Sequence, residues 1–195
     1  MPLASLIPHP ATPCDFIHSL TVEVPQLRAG AFRLVYRLEG DIDRLNVPTP
    51  RQPARADELW RHTCFEAFVH APEAAGYTEF NFAPSGLWAA YQFTGYRSGM
   101  QPMDPAASPS IICRLSPQHL EVDVQLELPP SLTGPLRAAL SAVVEDSQGR
   151  VSYWALAHPQ GKPDFHDAAG FALTLDTGAG PIWRSEERRV GKECR

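Results

Sequence analysis

The chain has 195 residues, 44% hydrophobic and 20% charged, which is enough apolar content for a packed core and excludes a wholly disordered chain. Its 17 Lys and Arg against 22 Asp and Glu leave a net charge of −5, the opposite of the basic footprint that nucleic-acid binding requires. Twenty prolines exclude a mostly helical protein, and no run of about 18 apolar residues is present to cross a membrane as a helix.

At the N-terminus, Pro2, Pro8, Pro10 and Pro13 interrupt a weak apolar patch that no Lys or Arg precedes. This is not the pattern of a secretory signal, so residues 1–15 are predicted to be an extended N-terminal arm of a cytoplasmic protein. Leu20, Val22 and Val24, then Phe32, Leu34, Tyr36 and Leu38, alternate with polar residues and predict two half-buried strands. Residues 40–57, with Pro48, Pro50 and Pro53, predict a loop. Leu59 to His70 is predicted as one long strand. One face carries Trp60, His62, Cys64, Glu66, Phe68 and His70, and neither face is purely apolar. Tyr77–Phe82 and Leu87–Phe93 follow across the turn signal Pro84-Ser85-Gly86, giving a three-strand antiparallel meander.

After a proline-rich loop over 95–110 come a short strand, Ile111–Leu115, and the cleanest period-two segment, Leu120 to Leu128. Leu136–Asp146 reads ambiguously, with a helical turn in its first half and a strand in its second. Asp146-Ser147-Gln148-Gly149 predicts a hairpin turn, Val151–Ala157 its return strand, and Phe171–Leu175 a last strand. About nine short strands in one chain of this length indicate an all-β fold, a two-sheet antiparallel β-sandwich with little helix, occupying residues 16–183 as a single domain. Residues 184–195, RSEERRVGKECR, show neither strand nor helix period. They resemble a sequencing adapter translated in frame, so the tail is set aside as non-native. Cys14, Cys64, Cys113 and Cys194 have no CxxC spacing and read as reduced thiols.

The segment Glu58-Leu-Trp-Arg-His-Thr-Cys-Phe-Glu-Ala-Phe68, followed by Tyr77-Thr-Glu-Phe-Asn-Phe-Ala-Pro-Ser-Gly86, resembles the DOMON-like superfamily, which includes family 9 carbohydrate-binding modules. Tyr153-Trp-Ala-Leu-Ala-His-Pro159 and Gly161-Lys-Pro-Asp-Phe-His166 resemble a bacterial subgroup of that superfamily without a settled activity. The resemblance spans about residues 16–176. It implies a jelly-roll-like sandwich that binds a small ligand, a sugar in some members and haem in others; fold alone does not choose.

Trp60, Trp88, Tyr91 and Trp154 are candidate stacking platforms for pyranose rings, and Glu66, Glu79, Asn81 and Arg97 candidate partners for hydroxyls. His158, Lys162, Asp164 and His166 lie in a polar loop directly after a strand, where binding residues concentrate, and His62 is a further candidate. These histidines and Asp164 match no standard zinc spacing, so no metal is expected. Met100 and Met103 are the residues that a haem reading would use with a histidine. No nucleophile elbow is present, since Ser85 lies in Pro-Ser-Gly. The reading is therefore a non-catalytic, saccharide-binding module with no cofactor, no nucleic-acid partner and no membrane partner. The alternatives are an enzyme on a sugar derivative using Glu66 with Glu79 or His62 with His166, a haem module, and a protein-interaction domain.

Overall fold

The computed structural model describes residues 3–24, 31–105, 107–132 and 134–175. The predicted non-native tail and Cys194 lie outside the described residues. The chain is almost entirely β, as its alternation predicts. The described residues form thirteen strands: β1 (Leu3–Pro8), β2 (Ile17–Glu23), β3 (Ala31–Gly40), β4 (Ala54–Arg55), β5 (Cys64–His70), β6 (Tyr77–Phe82), β7 (Leu87–Phe93), β8 (Gln101–Pro102), β9 (Ser110–Leu115), β10 (His119–Glu127), β11 (Leu136–Glu145), β12 (Val151–Ala155) and β13 (Leu173–Leu175). The other regular structure among these residues is three single 3₁₀ turns.

The strands make two packed layers. One runs β9-β10-β3-β2-β1 and the other β1-β12-β11-β5-β6-β7-β4, with β13 added to β11 and β8 to β7. All pairings are antiparallel except β4 with β7. Strand β1 belongs to both layers: Leu3–Leu6 pair with β2, while Ile7 and Pro8 pair with β12. Alternate residues of both layers fill the space between them, among them Leu34, Tyr36, Val122 and Val124 from one layer and Phe65, Phe80, Trp88, Leu140 and Trp154 from the other.

The outer faces of the two layers differ. On the β9-β10-β3 layer the outward residues form cross-strand ion pairs, Arg33 with Asp123 at 2.8 Å and Glu121 with Arg37 and Arg114 at 2.8 and 2.7 Å. This face is solvated, which is the ordinary solution for an antiparallel sheet. On the β5-β6-β7 layer a second apolar cluster covers the outer face, built from Phe68, Tyr77, Tyr91, Phe93 and Phe171 with Leu59, Trp60 and Phe165 against it. Strands β5 and β6 are consequently buried on both faces. That double burial accounts for the mixed composition of both faces of Leu59–His70.

Within the predicted extended N-terminal arm, Leu3–Pro8 is a paired strand whose Ala4 and Leu6 are buried. Two sequence expectations are corrected. The predicted long strand breaks in two: Glu58, at φ 60°, turns the chain into a 3₁₀ turn over Leu59–Arg61, and β5 begins only at Cys64. Leu136–Glu145 is one continuous strand rather than half helix. Its Ala-rich sequence favours helix locally, but hydrogen bonding to β5 on one side and β12 on the other overrides that preference. The hairpin turn after it is as expected. Gly149 has φ 76°, and Asp146 Oδ1 accepts from the N–H groups of Gln148 and Arg150, each at 2.9 Å.

Candidate functional site

The outer face of β5-β6-β11 is the floor of a cavity of about 540 Å³. The meander register sets what the floor contains. Glu66 of β5 is directly opposite Asn81 of β6 and Ser141 of β11, and Glu79 is opposite Phe68, so Glu66 and Glu79 are diagonal neighbours on one face. Walls come from Trp60, Phe93, Tyr153 and Phe165, and the rim from Arg97, Met100 and Lys162. A cavity of this size, apolar in its walls with a few converging polar groups, suits a small ligand.

Both floor carboxyls are buried without a direct cationic partner, and burial disfavours the charged form. Glu66 accepts from the Ser141 hydroxyl at 3.2 Å, but burial and the neighbouring Glu79 push its carboxyl well above the usual range. Burial raises Glu79 less, to about 7, because the Asn81 amide donates to its Oε1 at 2.7 Å and Arg97 lies nearby. Burial thus favours protonation of both carboxyls, and the donors beside Glu79 make it the better placed of the two to carry a charge. Beside them, burial and Glu66 push the Cys64 thiol up, so Cys64 is an inert thiol under the floor.

His166 closes the site from above. Its Nε2 is 3.9 Å from Glu79 Oε2. Its Nδ1 is 2.7 Å from the Tyr77 hydroxyl, which itself accepts from the Arg97 backbone N–H at 3.3 Å. In the tautomer that accepts the phenol proton at Nδ1, Nε2 carries the imidazole proton toward Glu79. Burial, and then Arg97, lower His166 to about 4, so the ring is neutral. Asp164 ties the loop to the β7–β8 connection. It accepts from Arg97 at 2.8 Å, from the Tyr96 hydroxyl, and from the His166 N–H at 3.0 Å. These bonds outweigh the burial that would raise Asp164 and hold it below the usual carboxylate range.

Of the sequence candidates, Trp60, Glu66, Glu79, Arg97, Lys162 and His166 line this cavity together. Asn81 and Asp164 support it through the bonds above. Tyr91 stands behind Trp60, with ring centroids 5.8 Å apart, and donates to Asp57 at 2.6 Å. The other four lie elsewhere. Trp88 and Trp154 point into the inter-sheet core, because the alternation that brings Glu79 and Tyr153 outward turns these two inward. His62 pairs with Glu145 at 2.7 Å. His158 Nε2 donates to the Ile7 carbonyl at 2.8 Å, next to the His9 ring.

Phe93, Tyr153 and Phe165 were not among the sequence candidates, and neither were Tyr77 and Ser141. The signal for Tyr153 was its place one residue before a tryptophan in a strand, since one of the two must face outward. Ser141 was hidden by the helical reading of its segment.

Among the described residues no group of three or more His, Cys, Asp or Glu is placed to hold a metal ion. The haem alternative fits poorly. Met100 and His166 do border the cavity, whereas Met103 packs against the core. The floor would set Glu66 and Glu79 against the macrocycle, and His166 is fixed by Tyr77 with its other nitrogen toward Glu79.

No protein-family model and no curated protein matches the chain. Solved structures do. A candidate carbohydrate-binding protein from Bacteroides uniformis superposes with a TM-score of 0.66 at 14% identity, covering 90% of this chain and 86% of that one. A family 9 carbohydrate-binding module from Caldicellulosiruptor kristjanssonii, in complex with glucose, gives a TM-score of 0.47 at 11% identity, covering 73% and 69%. A cellotriose complex of such a module from the same organism gives the same score and identity, covering 90% and 81%. At these identities the Bacteroides likeness shows a shared fold, the β-sandwich described above.

Proposed function

We propose that the chain is a carbohydrate-binding module that takes a mono- or disaccharide into the cavity on the outer face of β5-β6-β11. One observation carries this reading: an aromatic-walled cavity closes over a floor of buried, hydrogen-bonding carboxyls. Apolar ring faces suit the C–H face of a pyranose, and paired carboxyls held toward their protonated form can both donate to and accept from sugar hydroxyls. The fold likeness to a candidate carbohydrate-binding protein supports the same class.

The test is calorimetric titration with a panel of neutral mono- and disaccharides, alongside thermal shift, which reports any ligand that binds the native state. Trp60→Ala is expected to weaken the best ligand by roughly tenfold or more, since a buried aromatic contact is worth about 1.5 kcal/mol or more. Trp154→Phe, on the opposite face of the layer, should leave affinity within about twofold. Equal losses from both variants would place the sugar elsewhere.

A further inference from the structure

We infer that the cavity also catalyses interconversion of the anomers of a bound reducing sugar, with Glu79 as general base and Glu66 as general acid. The inference rests on the sugar-binding reading and adds a reaction to it.

The argument begins with where the two carboxyls sit. Glu66 and Glu79 come from adjacent strands, on one face, one diagonal step apart. Both therefore approach a ligand from the same side. Glycoside hydrolysis places its two carboxyls on either side of the scissile bond, so that water or a nucleophile enters opposite the leaving group. Glu66 and Glu79 instead rise side by side from one floor. They can reach two neighbouring oxygens on one edge of a ring, and the ring oxygen and the anomeric hydroxyl are such a pair, bonded to the same carbon.

The partners of the pair match the need: Glu79 faces the Asn81 amide and the His166 ring, which suit a carboxylate, while Glu66 meets only the Ser141 hydroxyl in a buried place. Anomerisation requires an acid and a base together and neither metal, nucleophile nor redox partner. The Glu79 carboxylate takes the proton of the anomeric hydroxyl, and that O–H electron pair becomes the second bond of the C1 carbonyl. The bond from C1 to the ring oxygen breaks, its electron pair stays on the ring oxygen, and Glu66 gives that oxygen a proton. The open-chain aldehyde turns about C1–C2. Closure on the other face then returns one proton to Glu66 and takes one from Glu79. No atom or electron is left over, and the pair ends as it began.

The groups around Glu79 suit a positioned base. The Asn81 amide donates to one oxygen at 2.7 Å, and the His166 Nε2–H faces the other at 3.9 Å. Tyr77 holds the His166 ring from behind at Nδ1, and Asn81, His166 and Tyr77 are positioning residues.

The experiment is polarimetry of freshly dissolved α-anomers of glucose, galactose, mannose and xylose with the full chain, at a pH above 7 and in dilute buffer. Binding of each equilibrated sugar is measured in parallel by calorimetry. The expected result is a first-order rate that grows linearly with protein and exceeds the protein-free rate at least tenfold for a sugar that binds. Glu79→Gln and Glu66→Gln should each lower that gain by about 10²-fold or more at saturating sugar, a loss that weakened affinity alone would not produce. Binding without any acceleration would overturn the catalytic inference and leave the binding reading standing. Absence of binding across the panel would overturn both. Acceleration that survives both substitutions would remove the pair from the reaction, and release of nitrophenol from nitrophenyl glycosides would replace anomerisation with hydrolysis.

Discussion

Glu79 has a consequence for stability that can be read without any ligand. Its carboxyl titrates at about 7 in the folded chain against an ordinary 4.5. Below pH 4.5 both states carry the proton. Between 4.5 and 7 the folded state keeps a proton that the unfolded chain has released, so stability falls as pH rises, and Glu79's share levels off above 7. The full span is on the order of 3 kcal/mol. Glu66, Asn81, His166, Arg97 and the Cys64 thiol all lie around this carboxyl, and of these Glu66 and His166 add their own pH dependence below and around neutrality. Glu66, raised further, extends the loss to higher pH. His166 acts in the opposite sense, because its lowered value means that stability drops as pH falls from 6.5 toward 4. The difference between the wild type and Glu79→Gln isolates Glu79. That variant should melt close to wild type at pH 5 and clearly above it at pH 8, by thermal denaturation followed by circular dichroism. Equal offsets at both values would mean that Glu79 is not held protonated by burial. Much of this was visible in the sequence, because Glu66, Glu79 and Asn81 are polar residues inside apolar strand patterns. What alternation does not disclose is which face is which. Trp88 and Trp154 look as suitable as Trp60 until packing assigns them to the core.

At the level of elements, the loop from β12 toward β13 is held by one carboxylate. Asp164 gathers the Arg97 guanidinium, the Tyr96 hydroxyl and the His166 N–H, and so joins the loop over the site to the turn after β7. His166 and Phe165 reach the cavity because of that tie. Asp164→Ala should weaken ligand binding by roughly tenfold and speed amide exchange over residues 158–167, with a smaller effect on the melt, since three partly solvated bonds net about 1 kcal/mol each at most. Unchanged exchange would show that the loop is held by Phe165 and Phe171 packing instead. The polar character of this loop was legible from its composition. Its partners were not, since Arg97 is 67 residues away. Element boundaries show the same limit. The break at Glu58 depends on one left-handed residue that propensity does not flag, and the Ala-rich β11 is a strand because of its neighbours rather than its own preference.

For the molecule as a whole, the two layers are joined through β1, in the segment that the sequence marks only as an extended arm. Strand β1 closes one layer against β2 and the other against β12, and buries Ala4 and Leu6 between them. The junction is reinforced where the His9 N–H donates to the Tyr153 carbonyl at 2.8 Å and His158 Nε2 donates to the Ile7 carbonyl at 2.8 Å. Ile7 pairs with Ala155, a contact that no local pattern announces because nearly the whole chain separates its partners. Removing residues 1–8 would bare the hydrogen-bonding edges of β2 and β12 and uncover apolar area beneath them, and exposed edges of this kind invite association. A free arm could be cut without effect. A shared strand cannot, so the truncated chain should lose its single cooperative melt or elute as aggregate on size exclusion. Leu6→Ala, which leaves the strand in place and empties one core position, should cost about 2–4 kcal/mol in urea unfolding with an unchanged m-value. A truncated chain that melts as the full chain does would show that β1 does not hold the two layers together. It would also detach the sheet that carries Tyr153 and the cavity floor from the strand that here anchors its edge.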